Sequence, residues 1–117
     1  MKLEQLKENL PDYAKDIRLN LSNLFGNIES SGLTSTQFYG SALAIAYSLK
    51  NKTLIRTLEF ECQNAGFSDL FFAAKTAATL MAMNNIYYRA IHLAENKELS
   101  AMPANLRMNG LIHHGID

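Results

Sequence analysis

Cysteine, histidine and carboxylate side chains are where this chain could carry chemistry, and each group is thin. Cys62 is the single cysteine in 117 residues. A redox cycle on thiols needs two sulfurs, one to attack a peroxide or disulfide and one to resolve the sulfenic acid or mixed disulfide that results. Cys62 has no second thiol to resolve it. Its neighbour Glu61 also raises the thiol pKa, the wrong direction for a nucleophile. It reads as a structural residue near the middle of a helix, packing as a small hydrophobe.

The histidines are His92, His113 and His114. Neighbouring residues on a helix point about a third of a turn apart, so His113 and His114 do not converge on one metal, and only Asp117 lies near enough to help. They read as solvated or helix-terminal groups. Glu59 and Glu61 form the one tight acidic pair, but residues two apart on a helix face different ways, which argues against shared acid–base work. Ser30-Ser31-Gly32 lacks the glycines and Lys-Ser/Thr ending of a phosphate loop, and no nucleophile elbow is present. Met81, Met83, Met102 and Met108 read as gap-filling core or interface residues. Asn84-Asn85-Ile86-Tyr87-Tyr88-Arg89 stands out: the two Asn suggest a helix break with a cap, followed by an aromatic stripe. Functionally, they could hold backbone groups of a neighbouring segment, with Arg89 reaching a carboxylate.

The elements that would position these residues are helical throughout. Leu3, Leu6 and Leu10 recur at helical spacing, and Pro11 ends that helix or opens the next. Tyr13, Ile17, Leu21 and Leu24 form one stripe, closed by Gly26. Residues 27–33 are a polar loop. Thr34 and Gln37 match the capping box of a helix running to about Lys50. Asn51 caps a fourth helix to about Asn64, with Gly66 just beyond. Ser68 is the expected cap of a fifth helix whose apolar surface, from Leu70 to Ala82, calls for cover on most sides. A break at Asn84-Asn85 leads into a sixth helix through about Glu95, then a loop, and Pro103 opens a short last helix over 104–112. No alternation suggests a strand. The expectation is an all-α bundle of about six to seven helices, one domain over residues 1–117.

Composition sets the bounds. Eleven basic residues balance eleven acidic ones with no cluster, which argues against general nucleic-acid binding and against a polybasic membrane patch. The hydrophobic share of 48% suits a globular chain with a core. Neither Ala42–Tyr47 nor Leu70–Ala74 approaches the length of a membrane span, and residues 1–8 do not open a signal peptide. A single cysteine fits a reducing cytoplasm. Asn20-Leu21-Ser22 and Asn51-Lys52-Thr53 match the glycosylation triplet by chance.

Several strings together resemble the alkylhydroperoxidase D family (AhpD-like, within the carboxymuconolactone decarboxylase superfamily). They are Met83-Asn84-Asn85-Ile86-Tyr87-Tyr88-Arg89, Leu106-Arg107-Met108-Asn109, Leu10-Pro11-Asp12-Tyr13-Ala14-Lys15-Asp16-Ile17 and the final Gly115-Ile116-Asp117. The resemblance runs in register over essentially the whole chain. It implies an all-α fold, a trimer or other homo-oligomer, and an antioxidant setting. In the family a Cys-x-x-Cys reduces peroxides and shuttles electrons from lipoylated acyltransferases to a peroxiredoxin, with a Glu and a His deprotonating the thiols. Those residues lie beyond the segment matching Asp117, so no catalytic, cofactor-binding or metal residue carries over, and no cofactor is implied. The chain looks like the first two-thirds of such a protein. Thr36 to Ala82 also repeats the helix order of the family's reactive half, with Leu49 and Lys52 where its cysteines would align. A fragment of an active protein, a natural short protein that works by binding, and one half of a two-chain enzyme would all share this sequence, and the first reading leads. A non-catalytic oligomerisation or adaptor module is the alternative, and an independent small-ligand bundle a third.

Overall fold

The computed structural model describes residues 2–112; the readings placed on His113, His114 and the final Gly-Ile-Asp lie outside them. Local signals decide most of the helix ends. Thr34 opens α3, Ser35–Leu49, with a complete capping box: its hydroxyl accepts from the Gln37 N–H at 3.1 Å, and the Gln37 side chain accepts from the Thr34 N–H at 3.0 Å. Asn51 caps α4, Lys52–Asn64, by accepting from the Leu54 N–H at 3.0 Å. α4 ends in a Schellman motif: Gly66 adopts φ +87° and donates to Gln63 O, while Phe67 donates to Cys62 O at 2.8 Å. α1, Leu3–Glu8, and α2, Lys15–Gly26, precede these helices, joined through Pro11 and a 3-10 turn at Asp12–Ala14. A second 3-10 turn, Ile28–Ser31, occupies the expected polar loop.

α5 runs from Leu70 to Ala94 without interruption, and α6 covers Lys97–Ala101. Four expectations are corrected here. The break at Asn84-Asn85 is absent, because Asn84 is buried inside the helix, where its Nδ2 donates to Met108 Sδ at 3.4 Å, and an Asn costs a helix interior only a few tenths of a kcal/mol. Ser68 does not cap α5; the Schellman turn carries the chain through Ser68 in a turn, leaving Asp69 at the cap position without a side-chain bond. No helix spans 104–112. Met102, preceding Pro103, is extended (ψ 140°), as the proline ring requires, and the chain stays irregular until a 3-10 turn at Asn109–Leu111. Lastly, α5 is covered by α3 on one side and by the 3-10 turn at Asn109–Leu111 on another, but not on most sides: Phe72 remains 67% exposed.

The core lies where α3 packs on α5 and α4. Leu43 and Ala46 of α3, Leu58 and Cys62 of α4, and Leu70 and Ala74 of α5 form it, with Phe25, Tyr39, Tyr47 and Phe67 closing its edges. Phe38 meets Phe25 and Tyr39 edge-on, the closer centroids 5.2 Å apart. α1 lies against α4, pinned by the Leu3 N–H donating to Glu61 Oε1 at 3.0 Å. The described residues contain no strand, and the all-α reading holds. α5 is about 37 Å long, and the extents are 51 × 37 × 27 Å.

Candidate functional site

Cys62 is the third residue from the end of α4, later in the helix than expected, and it is fully buried in the core. Its Sγ lies 3.9 Å from the Tyr39 carbonyl oxygen. Burial, followed by the carboxylates of Glu61 and Glu59, pushes the thiol up to about 11. At pH 7 about one molecule in ten thousand would carry the thiolate. The sulfur is thus withheld twice, by access and by protonation.

The two acidic neighbours serve different contacts, as their spacing required. Glu61 accepts from Leu3 at the start of α1, and Glu59 Oε2 accepts from the Tyr47 hydroxyl at 3.0 Å, tying α4 to α3. Burial raises the Tyr47 phenol well above its ordinary value, reinforced by that bond and by the charge of Glu59; burial also raises Tyr39, with Glu61 and Cys62 adding to it. The Tyr47–Glu59 pair escaped the sequence reading because nothing in a helical repeat matches a residue in one helix to a particular turn of the next.

His92 sits exposed in the last turn of α5. Among the described residues no three His, Cys, Asp or Glu side chains gather in a group able to hold a metal ion. Arg89 is exposed and makes no ion pair among them; Glu4–Lys7 is the pair present. Tyr87 and Tyr88 contact each other edge-on at 5.1 Å. Asn84 is the segment's one buried member, and its Oδ1 finds no protein donor among the described residues. The four methionines among the described residues fill no core position: Met81 and Met102 are exposed, and Met83 and Met108 half-buried. Leu49 ends α3 and Lys52 opens α4, both exposed. No helix of the described residues is long and apolar enough to cross a membrane.

An all-helical bundle with a single buried thiol offers no dithiol centre, so its relatives bear directly on its role. No protein-family model matches the chain. Curated relatives match it from end to end. The alkyl hydroperoxide reductase AhpD of Bradyrhizobium sp. (strain BTAi1) is 47% identical over 117 residues, all of this chain and 63% of that protein. The protein of the same name from Coxiella burnetii is 44% identical over 98% of this chain and 65% of its own length. That from Frankia alni is 44% identical over all of this chain and 62% of its own length. The chain belongs to the AhpD-like family. It spans somewhat less than two-thirds of the length of these relatives.

Proposed function

We propose that these 117 residues are a scaffolding part of an AhpD-like, thiol-dependent peroxide reductase, and that the reacting dithiol belongs to sequence outside them. The supporting observation is 44–47% identity, over the whole of this chain, to AhpD proteins of which it spans 62–63%, combined with one buried cysteine whose thiol burial holds protonated. In peroxide reduction a thiolate attacks the O–O bond, leaving an alcohol and a sulfenic acid. A second thiol then condenses with the sulfenic acid, expelling water and forming a disulfide. An external dithiol returns two electrons and two protons. Cys62 alone stops at the sulfenic acid. In the whole protein the reading extends to a homo-oligomer working with a lipoylated acyltransferase as electron source and a peroxiredoxin as acceptor.

The test is turnover. The purified chain with dihydrolipoamide and an alkyl hydroperoxide is expected to show none. Turnover that vanishes in Cys62→Ser would overturn the reading. A second reading, a non-catalytic oligomerisation or adaptor module, is favoured by the bare apolar faces of α2 and the outer half of α5. Stable self-association together with no gain of turnover when the unmatched part of the Bradyrhizobium relative is supplied in trans would select it.

A further inference from the structure

We propose that the cleft between the end of α3 and the middle of α5 binds a small amphipathic carboxylate, its tail on α5 and its head between the ammoniums of Lys50 and Lys75. The cleft measures about 620 Å³, within the size range of small-molecule sites. Its apolar surface comes from Ala78, Met81 and Ala82 of α5 and the ring of Tyr47 from α3.

Hydrogen-bond accounting decides the charge of the occupant. Three hydroxyls border the cleft, and each has one proton to give. Tyr47 gives its proton to Glu59 Oε2 at 3.0 Å, Ser48 to Ala44 O at 2.8 Å, and Thr79 to Lys75 O and Thr76 O, both at 3.0 Å. The donors left over are the two ammoniums and the Asn85 amide. No carboxylate lines the cleft, and neither lysine is ion-paired among the described residues. Lys75 Nζ stands 5.4 Å from the Tyr47 ring centroid, held over the ring face by cation–π attraction. Lys50 closes α3 in the left-handed region (φ 58°), a position glycine would fill with less strain.

Two unpaired cations over an apolar floor exclude an apolar cation and leave a small inorganic anion with nothing to cover the alanines. A carboxylate has two oxygens to divide between the ammoniums, and its hydrocarbon tail covers Ala78, Met81 and Ala82. The site uses no thiol, so its test reads carboxylate binding and not peroxide turnover.

The experiment titrates the 117-residue protein with decanoate, below its micelle threshold, and follows amide and methyl NMR shifts. Saturable shifts are expected at Ser48, Lys75, Thr79, Met81 and Ala82, and none at the separate grooves lined by Leu6, Leu10, Ile17 and Leu54 or by Ala44, Ala73 and Ala77. Because both lysines are exposed, the Lys50→Met/Lys75→Met variant keeps the fold, verified by circular dichroism, and should bind about tenfold or more weakly. Ala82→Phe, also at an exposed position, should fill the cleft and abolish binding. Decanol binding as tightly as decanoate, undiminished affinity in the double lysine variant, shifts centred on either of the other grooves, or no saturable binding would each overturn the proposal.

Discussion

Two parts of this molecule carry similar helical patterns and meet opposite fates. Around α3, α4 and the first half of α5, apolar residues at helical spacing find one another: Leu43 and Ala46 are fully buried against Leu58, Cys62, Leu70 and Ala74. In α2 the same spacing of Ile17, Leu21 and Leu24 buries nothing completely, and Tyr13, just before it, is 94% exposed. Beyond Asn84, α5 carries Ile86, Tyr88 and Leu93 into solvent. A repeat of apolar residues tells which face a helix will bury, while burial itself needs a second element in reach. An apolar helix face left in solvent is the surface that a further element or a second copy would have to cover.

The most direct way to break the comparison is a matched pair of truncations. Leu43→Ala removes a fully buried side chain from the α3–α5 contact and should destabilise the chain by about 3–5 kcal/mol in urea unfolding. Ile86→Ala, at a residue 73% exposed, should stay within about 0.5 kcal/mol. Equal effects would mean that the two regions do not differ in packing.

Alkaline unfolding sharpens the packed side of the contrast. The folded Cys62 thiol titrates near 11 against an ordinary 9.0, so the native state holds its proton more tightly than the unfolded chain. The associated stability is fully present below about pH 9 and is lost as pH rises through 11. Two units correspond to about 2–3 kcal/mol as an order of magnitude. Tyr39 and Tyr47, both raised, act in the same direction at higher pH. Cys62→Ala should flatten the decline between pH 9 and 11 and leave the tyrosine part. An unchanged slope would remove Cys62 from the buried core.

Where the signal is local, the sequence reading matched the structure: Thr34 with Gln37 and Asn51 open helices, and Gly66 closes one, as their chemistry demands. It went astray where a distant segment intervenes. Asn84-Asn85 looks like a break by propensity, but a chain segment 24 residues on lays Met108 over Asn84 and keeps α5 whole. Ser68 looks like a cap, yet the preceding Schellman turn has already set the path of the backbone. Of the candidate residues, the solitary thiol could be counted directly. Its burial and the Tyr47–Glu59 bond depend on how α3 and α4 pack, which no single-helix pattern contains.

The exposed side of the comparison bears on association. Sedimentation of the chain at micromolar concentration should show self-association through the bare faces. Ile17→Asp and Ile86→Asp, both exposed, should leave the fold intact and each weaken association about tenfold, or 1.4 kcal/mol. A clean monomer, or association indifferent to both charges, would mean that neither face is an interface in this chain.

Caps offer the finest comparison, because one device occurs in both regions. Thr34 caps α3 in the packed part, and Asn96 caps the exposed five-residue α6 by accepting from the Leu99 N–H at 3.0 Å. Removing either leaves one helix N–H without its partner, at a local cost of about 1 kcal/mol. The consequences should differ with packing. α3 is welded to α4 and α5, so its first turn cannot open without disturbing the core, and Thr34→Ala should lower global stability by nearly the full amount. α6 touches little besides α5, so Asn96→Ala should fray it alone. Hydrogen exchange at Leu99 and Ser100 should then speed up while the urea midpoint stays put. If Asn96→Ala moved the midpoint as far as Thr34→Ala does, α6 would belong to the cooperative unit, and the boundary between the two regions would have to be drawn beyond it.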